Sequence, residues 1–172
     1  MDVKEFNHTL DRWIEEVEQN NFVLLCTKPS PASWSLGQLS MHLIEATMFY
    51  LGQAEICLSS NDNATEEMSP EARLMFGNNA FPDELIEGPP SNADTPQPES
   101  KLKLIRDMRS LKDEVNRIST LISISVCSGK TRHPGLKFFN AAEWFQFAEM
   151  HFRHHLRQKK RIESFLKFES GK

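Results

Sequence analysis

The chain has 172 residues, 39% of them apolar and 26% charged, with a formal net charge of −4 at pH 7, which suits one soluble domain long enough to bury its own core. With a pI near 5.9 it offers no electrostatic footprint for nucleic acid or an anionic membrane. No apolar run reaches the roughly eighteen residues that cross a bilayer, and the opening MDVKEFNHTLDRW lacks a signal-like apolar segment, so a cytoplasmic location is expected.

Four segments carry apolar residues at three- and four-residue spacing, and none alternates with period two; the pattern predicts an all-α fold of four helices. The first spans about residues 3–26, with Phe6, Leu10, Trp13, Val17, Asn21 and Leu24 in line, and stops before Pro29 and Pro31. The second spans 35–59, opened by a Ser35/Gln38 capping box and striped with Leu39, His42, Ala46, Phe49, Gln53 and Ile56. A polar stretch, 61–98, then reads as a crossover connection holding a short helix near 70–76, because antiparallel neighbours would not need so much chain.

The third helix is expected over 99–126, with Leu102, Ile105, Met108 or Arg109, Leu111, Val115, Ile118 and Ile122 facing inward. Gly129, Pro134 and Gly135 mark a turn segment. The fourth helix spans about 140–168, capped by Asn140 and Glu143, with Trp144, Ala148, His151, His155, Gln158, Ile162 and Phe165 on its stripe. Its basic cluster from Arg153 to Arg161 reads as a solvated helix end. The cysteines Cys26, Cys57 and Cys127 form no CxxC pair and are expected to be buried free thiols.

His151 and His155 stand four apart, so their rings project from one helix face a turn from each other and can share an ion. Neutral imidazole is the common nitrogen ligand for Zn, Ni, Cu and Fe, and a catalytic site typically has three protein ligands with one position open. His42, in line with Leu39 and Ala46, is the candidate third ligand. A lone histidine on an apolar face is more often a hydrogen-bonded core residue, and spacing alone leaves both readings open. Three such rings would each have two nitrogens to satisfy in an oily core, which a shared metal accomplishes.

His154 sits about 100° round from its neighbour and is read as supporting or exposed, His8 as a surface residue. His133, before Pro134, could line a pocket mouth or cap the turn. Phe152, where a zincin needs Glu, and the lack of Glu-x-x-His on two helices rule out metalloprotease and di-iron patterns. Nucleophile elbows, P-loops and dinucleotide fingerprints are also missing.

The run Trp34-Ser35-Leu36-Gly37-Gln38-Leu39 with His42, followed far downstream by His133-Pro134-Gly135, Trp144 and His151-xxx-His155-xx-Gln158, resembles the DinB-like, YfiT-type superfamily of bacterial metal-binding bundles. The resemblance spans nearly the whole chain. It implies a four-helix bundle of up-down-down-up order with a long crossover between helices two and three, and a three-histidine site for Zn or Ni on His42, His151 and His155. Relatives with known activity are mostly thiol-dependent transferases, isomerases and hydrolases.

The expected function is therefore a metal-dependent transferase or hydrolase acting on a small molecule or low-molecular-weight thiol, with Gln158 supporting His155 and Glu45 as general base; a solvated helix-face charge is the plainer reading of Glu45. The alternative is a non-catalytic metal-binding or interaction protein, dimeric through apolar faces for which Phe145 and Phe152 are candidates, core packing explaining those two residues equally well.

Overall fold

The computed structural model describes residues 3–82 and 94–170, so residues 83–93 of the expected crossover connection lie outside the described residues. The described elements are α1 (Val3–Gln19), α2 (Phe22–Cys26), α3 (Leu36–Cys57), α4 (Pro70–Asn78), α5 (Lys101–Ile124), the strands β1 (Lys130–His133) and β2 (Lys137–Asn140), and α6 (Ala141–Ser170). The fold is thus mostly helical, and no described helix is long and apolar enough to cross a membrane.

Phe6, Leu10, Trp13 and Val17 are fully buried along α1, as their spacing requires. The predicted first helix is broken after Gln19, however. The Asn20 amide donates to the Glu16 carbonyl at 2.8 Å, while Asn21 turns extended and its Oδ1 accepts from Leu24 N at 2.9 Å, capping α2. Two consecutive asparagines compete for backbone partners and favour caps over a helix interior, so Asn21 is a boundary residue and not part of the buried stripe.

The capping box of α3 is present in both directions, Gln38 N to Ser35 Oγ at 3.1 Å and Ser35 N to Gln38 Oε1 at 3.2 Å. Its core face is Leu36, Leu39, Leu43, Thr47, Leu51 and Ala54, not the expected line, and Phe49 and Ile56 are half exposed. Apolar residues occupy nearly every side of this helix, so periodicity alone does not select a face. The inward residues of α5 are Leu104, Met108, Leu111, Val115 and Ile118, with Leu102 exposed and Arg109 turned outward to Glu18 at 2.7 Å.

Directions follow from the contacts. α1 and α5 run antiparallel, joined by Asn7 with Asn116 at 2.8 Å, Asp11 with Lys112 at 2.5 Å, and Glu18 with Arg109. α3 and α5 run parallel: Gly37 closes on Pro98 ahead of α5, where an added Cβ would lie 2.8 Å from the proline ring, and Glu55 pairs with Arg117 two-thirds of the way along α5. α1 and α6 are also parallel, with Phe6 against Phe145 and Phe152, and Glu16 paired to Lys159. Phe145 and Phe152 are therefore core residues, 1% and 0% exposed; the expectation that they form a dimer surface is corrected by their packing on α1.

The turn segment before α6 is a β-hairpin, with His133 opposite Lys137 and Lys130 opposite Asn140. Each strand has only four residues, too few to reveal alternation against the turn residues between them. The expected cap of α6 is present, Glu143 N to Asn140 Oδ1 at 2.9 Å and Asn140 N to Glu143 Oε2 at 2.7 Å. The short helix in the connection is α4, capped by Ser69 and ended by Asn79 in the left-handed region at φ 49°. Gln146 and Arg153 of α6 both donate to Asn79, at 3.0 and 2.8 Å, which docks this end of α4 on α6. The three cysteines are free, but only Cys57 is buried, its thiol donating to the Phe139 carbonyl at 3.4 Å.

Candidate metal centre

The centre lies on the seam between α3 and α6, which run antiparallel: Tyr50 meets Phe147, and eight residues earlier on α3 His42 meets His151 and His155. Register is fixed at the other end by Trp144, fully buried, whose indole N–H donates to Thr131 Oγ1 of the hairpin at 2.7 Å. Two turns along α6 from Trp144, Phe152 points to Phe6 and Trp13 of α1 while His151 points to α3. The four-residue spacing then sets His155 beside His151, with ring centroids 4.6 Å apart.

Three Nε2 atoms converge. That of His151 lies 3.4 Å from Nε2 of His42, 109 residues away in the chain, and 3.2 Å from Nε2 of His155. The ligand atoms of all three residues lie within 4.8 Å of one another. Tetrahedral zinc with Zn–N bonds of about 2.0–2.1 Å places its ligand nitrogens about 3.3–3.4 Å apart. The two short separations match that edge.

Hydrogen bonding among the imidazoles does not account for the arrangement. Nδ1 of His155 donates to Gln158 Oε1 at 2.9 Å, which leaves a lone pair on its Nε2. Nε2 of His151 must then carry the proton toward His155, and that one proton would have to serve the contact with His42 as well. Three lone pairs directed at one cation satisfy all the inward nitrogens together. Nδ1 of His151, by contrast, is buried without a hydrogen-bond partner among the described residues, so this ring lacks the outer support that His155 has.

Burial holds the rings in the neutral form that ligation needs. It lowers the pKa of His42; it lowers that of His151 further, with the charges of His155, His42 and His154 adding to the effect. His155 is brought down to about 4 by burial, only partly offset by its bond to Gln158.

The other expected residues fall elsewhere. Glu45 is exposed on α3, and among the described residues it makes no ion pair with the cluster. His154 lies tilted against Phe81 and edge to face with His155, ring centroids 5.3 Å away in each case. His8 is exposed. His133 caps the hairpin, its Nδ1 accepting from Gly135 N and Leu136 N at 3.2 Å each, with its ring against Phe139, Trp144 and Phe147. Two aromatic neighbours of the cluster escaped the sequence reading, Tyr50 and Phe81, 5.6 and 6.1 Å from the His151 ring, and Trp34, 4.9 Å from that of His42, entered it only as part of the motif. Tyr50 is the only tyrosine beside twelve phenylalanines, which was the available signal.

No curated protein matches the chain. The family model of the DinB superfamily matches residues 5–158, a span that includes the capping box of α3, all three converging histidines and Gln158, and the chain belongs to the DinB superfamily.

Proposed function

We propose that the chain is a mononuclear metal-dependent enzyme of the thiol-dependent transferase or hydrolase type, with Zn or Ni held by His42, His151 and His155. The observation that carries this reading is the convergence of three neutral Nε2 atoms at 3.2 and 3.4 Å, the spacing of ligands on one small cation. A divalent ion bound there supplies a Lewis acid that lowers the pKa of a water or thiol and makes a nucleophile near neutral pH. The protein's part is to keep the imidazoles deprotonated by burial and to fix the ring of His155 through Gln158. Glu45, an exposed carboxylate three residues beyond His42, is the proposed general base.

The same reading takes α1, α3, α5 and α6 as one up-down-down-up four-helix bundle in a single cytoplasmic domain, supported by the parallel and antiparallel contacts above. Metal analysis of untagged protein and of His151→Ala tests the site: a stoichiometric ion lost in the variant supports it, and wild type that takes neither Zn nor Ni refutes it. A thiol-transfer screen with bacillithiol, mycothiol and glutathione tests the activity, with His42→Ala and Glu45→Gln as the variants that should lose turnover.

A second reading, a non-catalytic homodimer, is favoured by one surface only. Met48, Phe49 and Ile56 of α3 are each about half exposed, an apolar strip that replaces Phe145 and Phe152 as the candidate contact. Sedimentation of wild type against Phe49→Glu decides it: a dimer that dissociates in the variant supports the reading, and a monomeric wild type removes it.

A further inference from the structure

The histidine cluster has an aromatic surround drawn from three separate segments. Trp34, just ahead of α3, lies against His42 at 4.9 Å; Tyr50, two turns along α3, meets His151 edge to face at 5.6 Å; Phe81, beyond α4, meets His151 at 6.1 Å. All three rings are half-buried, as are His42 and His155, whereas His151 is buried. The three rings thus flank the cluster on the sides of His42 and His151, while Gln158 and His154 adjoin His155. Phe81 is held in place because Asn79, two residues earlier, is pinned to α6 by Gln146 and Arg153.

Charge points the same way. The charges that help lower the pKa values of His151 and His155 are those of His42, His154 and His155, while Arg153 and Lys159 of the same helix are paired with Glu149 and with Glu16 and Glu163. Against the faces of Trp34, Tyr50 and Phe81 a phosphate or dicarboxylate would lose hydration that ring carbon does not replace. A ligand with an apolar, ring-sized body could remove those rings from water as well as its own surface.

We infer that the ligand of this centre carries an apolar, preferably aromatic group next to its metal-binding atom, and that Trp34, Tyr50 and Phe81 select it. The inference rests on the metal reading above, deepening it from a site to a substrate class. Two probe thiols with the same binding atom separate the contributions: benzyl mercaptan has the ring and 2-mercaptoethanol a hydroxyl in its place.

The experiment titrates both into the cobalt-substituted protein and follows the thiolate-to-cobalt charge-transfer band. The expected result is benzyl mercaptan binding at least tenfold tighter, and a ratio that falls severalfold in Phe81→Ala and in Trp34→Leu while cobalt stoichiometry stays at one. Equal affinities, or a ratio unmoved by both substitutions, overturn the inference and leave the metal site standing. Failure of wild type to take up cobalt or zinc overturns the metal reading, and this inference with it.

Discussion

Replacing His151 by leucine should make the metal-free protein more stable and abolish its response to metal. The ring is 9% exposed and its Nδ1 has no hydrogen-bond partner; a buried unsatisfied group costs about 1–3 kcal/mol. Leucine is close in volume, and size-matched changes in a core cost under about 1.5 kcal/mol. The balance is a gain of about 1 kcal/mol, or roughly 2–4 °C in Tm for a chain of this size. With zinc at a hundredfold excess over its Kd, wild type should instead gain about 2.7 kcal/mol, about 5–11 °C, and the variant nothing. Calorimetry of stripped and zinc-loaded samples should therefore show the two proteins exchanging order. A stripped variant that melts well below wild type would show that the ring is satisfied or packed in a way leucine cannot replace. A zinc-dependent shift retained in the variant would show that His151 is not a ligand.

Gln158→Leu should leave metal stoichiometry at one but weaken affinity about 10–100-fold, because His155 loses the group that fixes its ring; competition against a chromophoric chelator reads this, and unchanged affinity counts against the role. Acid should destabilise the metal-free protein. The folded pKa of His155 is depressed to about 4 from an ordinary 6.5, so its contribution is present in full above about pH 6.5 and lost as pH falls toward 4. The size is about 3 kcal/mol, and urea midpoints flat across pH 7 to 4 would contradict it. Phe152→Ala, which empties a site between Phe6 and Trp13, should cost about 3–5 kcal/mol in denaturant unfolding. A loss below about 1 kcal/mol would mean that α1 and α6 are not packed there as described.

The helices were legible wherever one face was apolar and the other charged. Phe6, Leu10, Trp13 and Val17 on α1 are buried as spaced, and the caps at Ser35 and Asn140 hold atom for atom. α3 was misread in face, though not in extent, because residues such as Phe49 and Ile56 are as apolar as the Leu43 and Leu51 that actually enter the core. His42 still reached the seam, since it lies at the edge of that core face nearest α6. The break at Asn21 and the hairpin turn are marked by side-chain hydrogen bonds, from Leu24 N to Asn21 and from Gly135 N and Leu136 N to His133, which periodicity does not register. Within the site, paired spacing revealed His151 and His155, whereas Phe81 reaches the cluster only because Asn79 is docked on α6, a tertiary fact.

His42 and His151 stand 109 positions apart in the chain, so an ion held by both would close a long loop for as long as it stayed bound. A bond that closes a loop of about 100 residues removes conformational entropy from the denatured ensemble worth about 4.7 kcal/mol in the simplest crosslink treatment. An ion gripping both residues is such a crosslink, reversible and set by its concentration. It would tie a helix from the first third of the chain to the last helix, so the ion would have to leave one of them before α3 and α6 could separate fully.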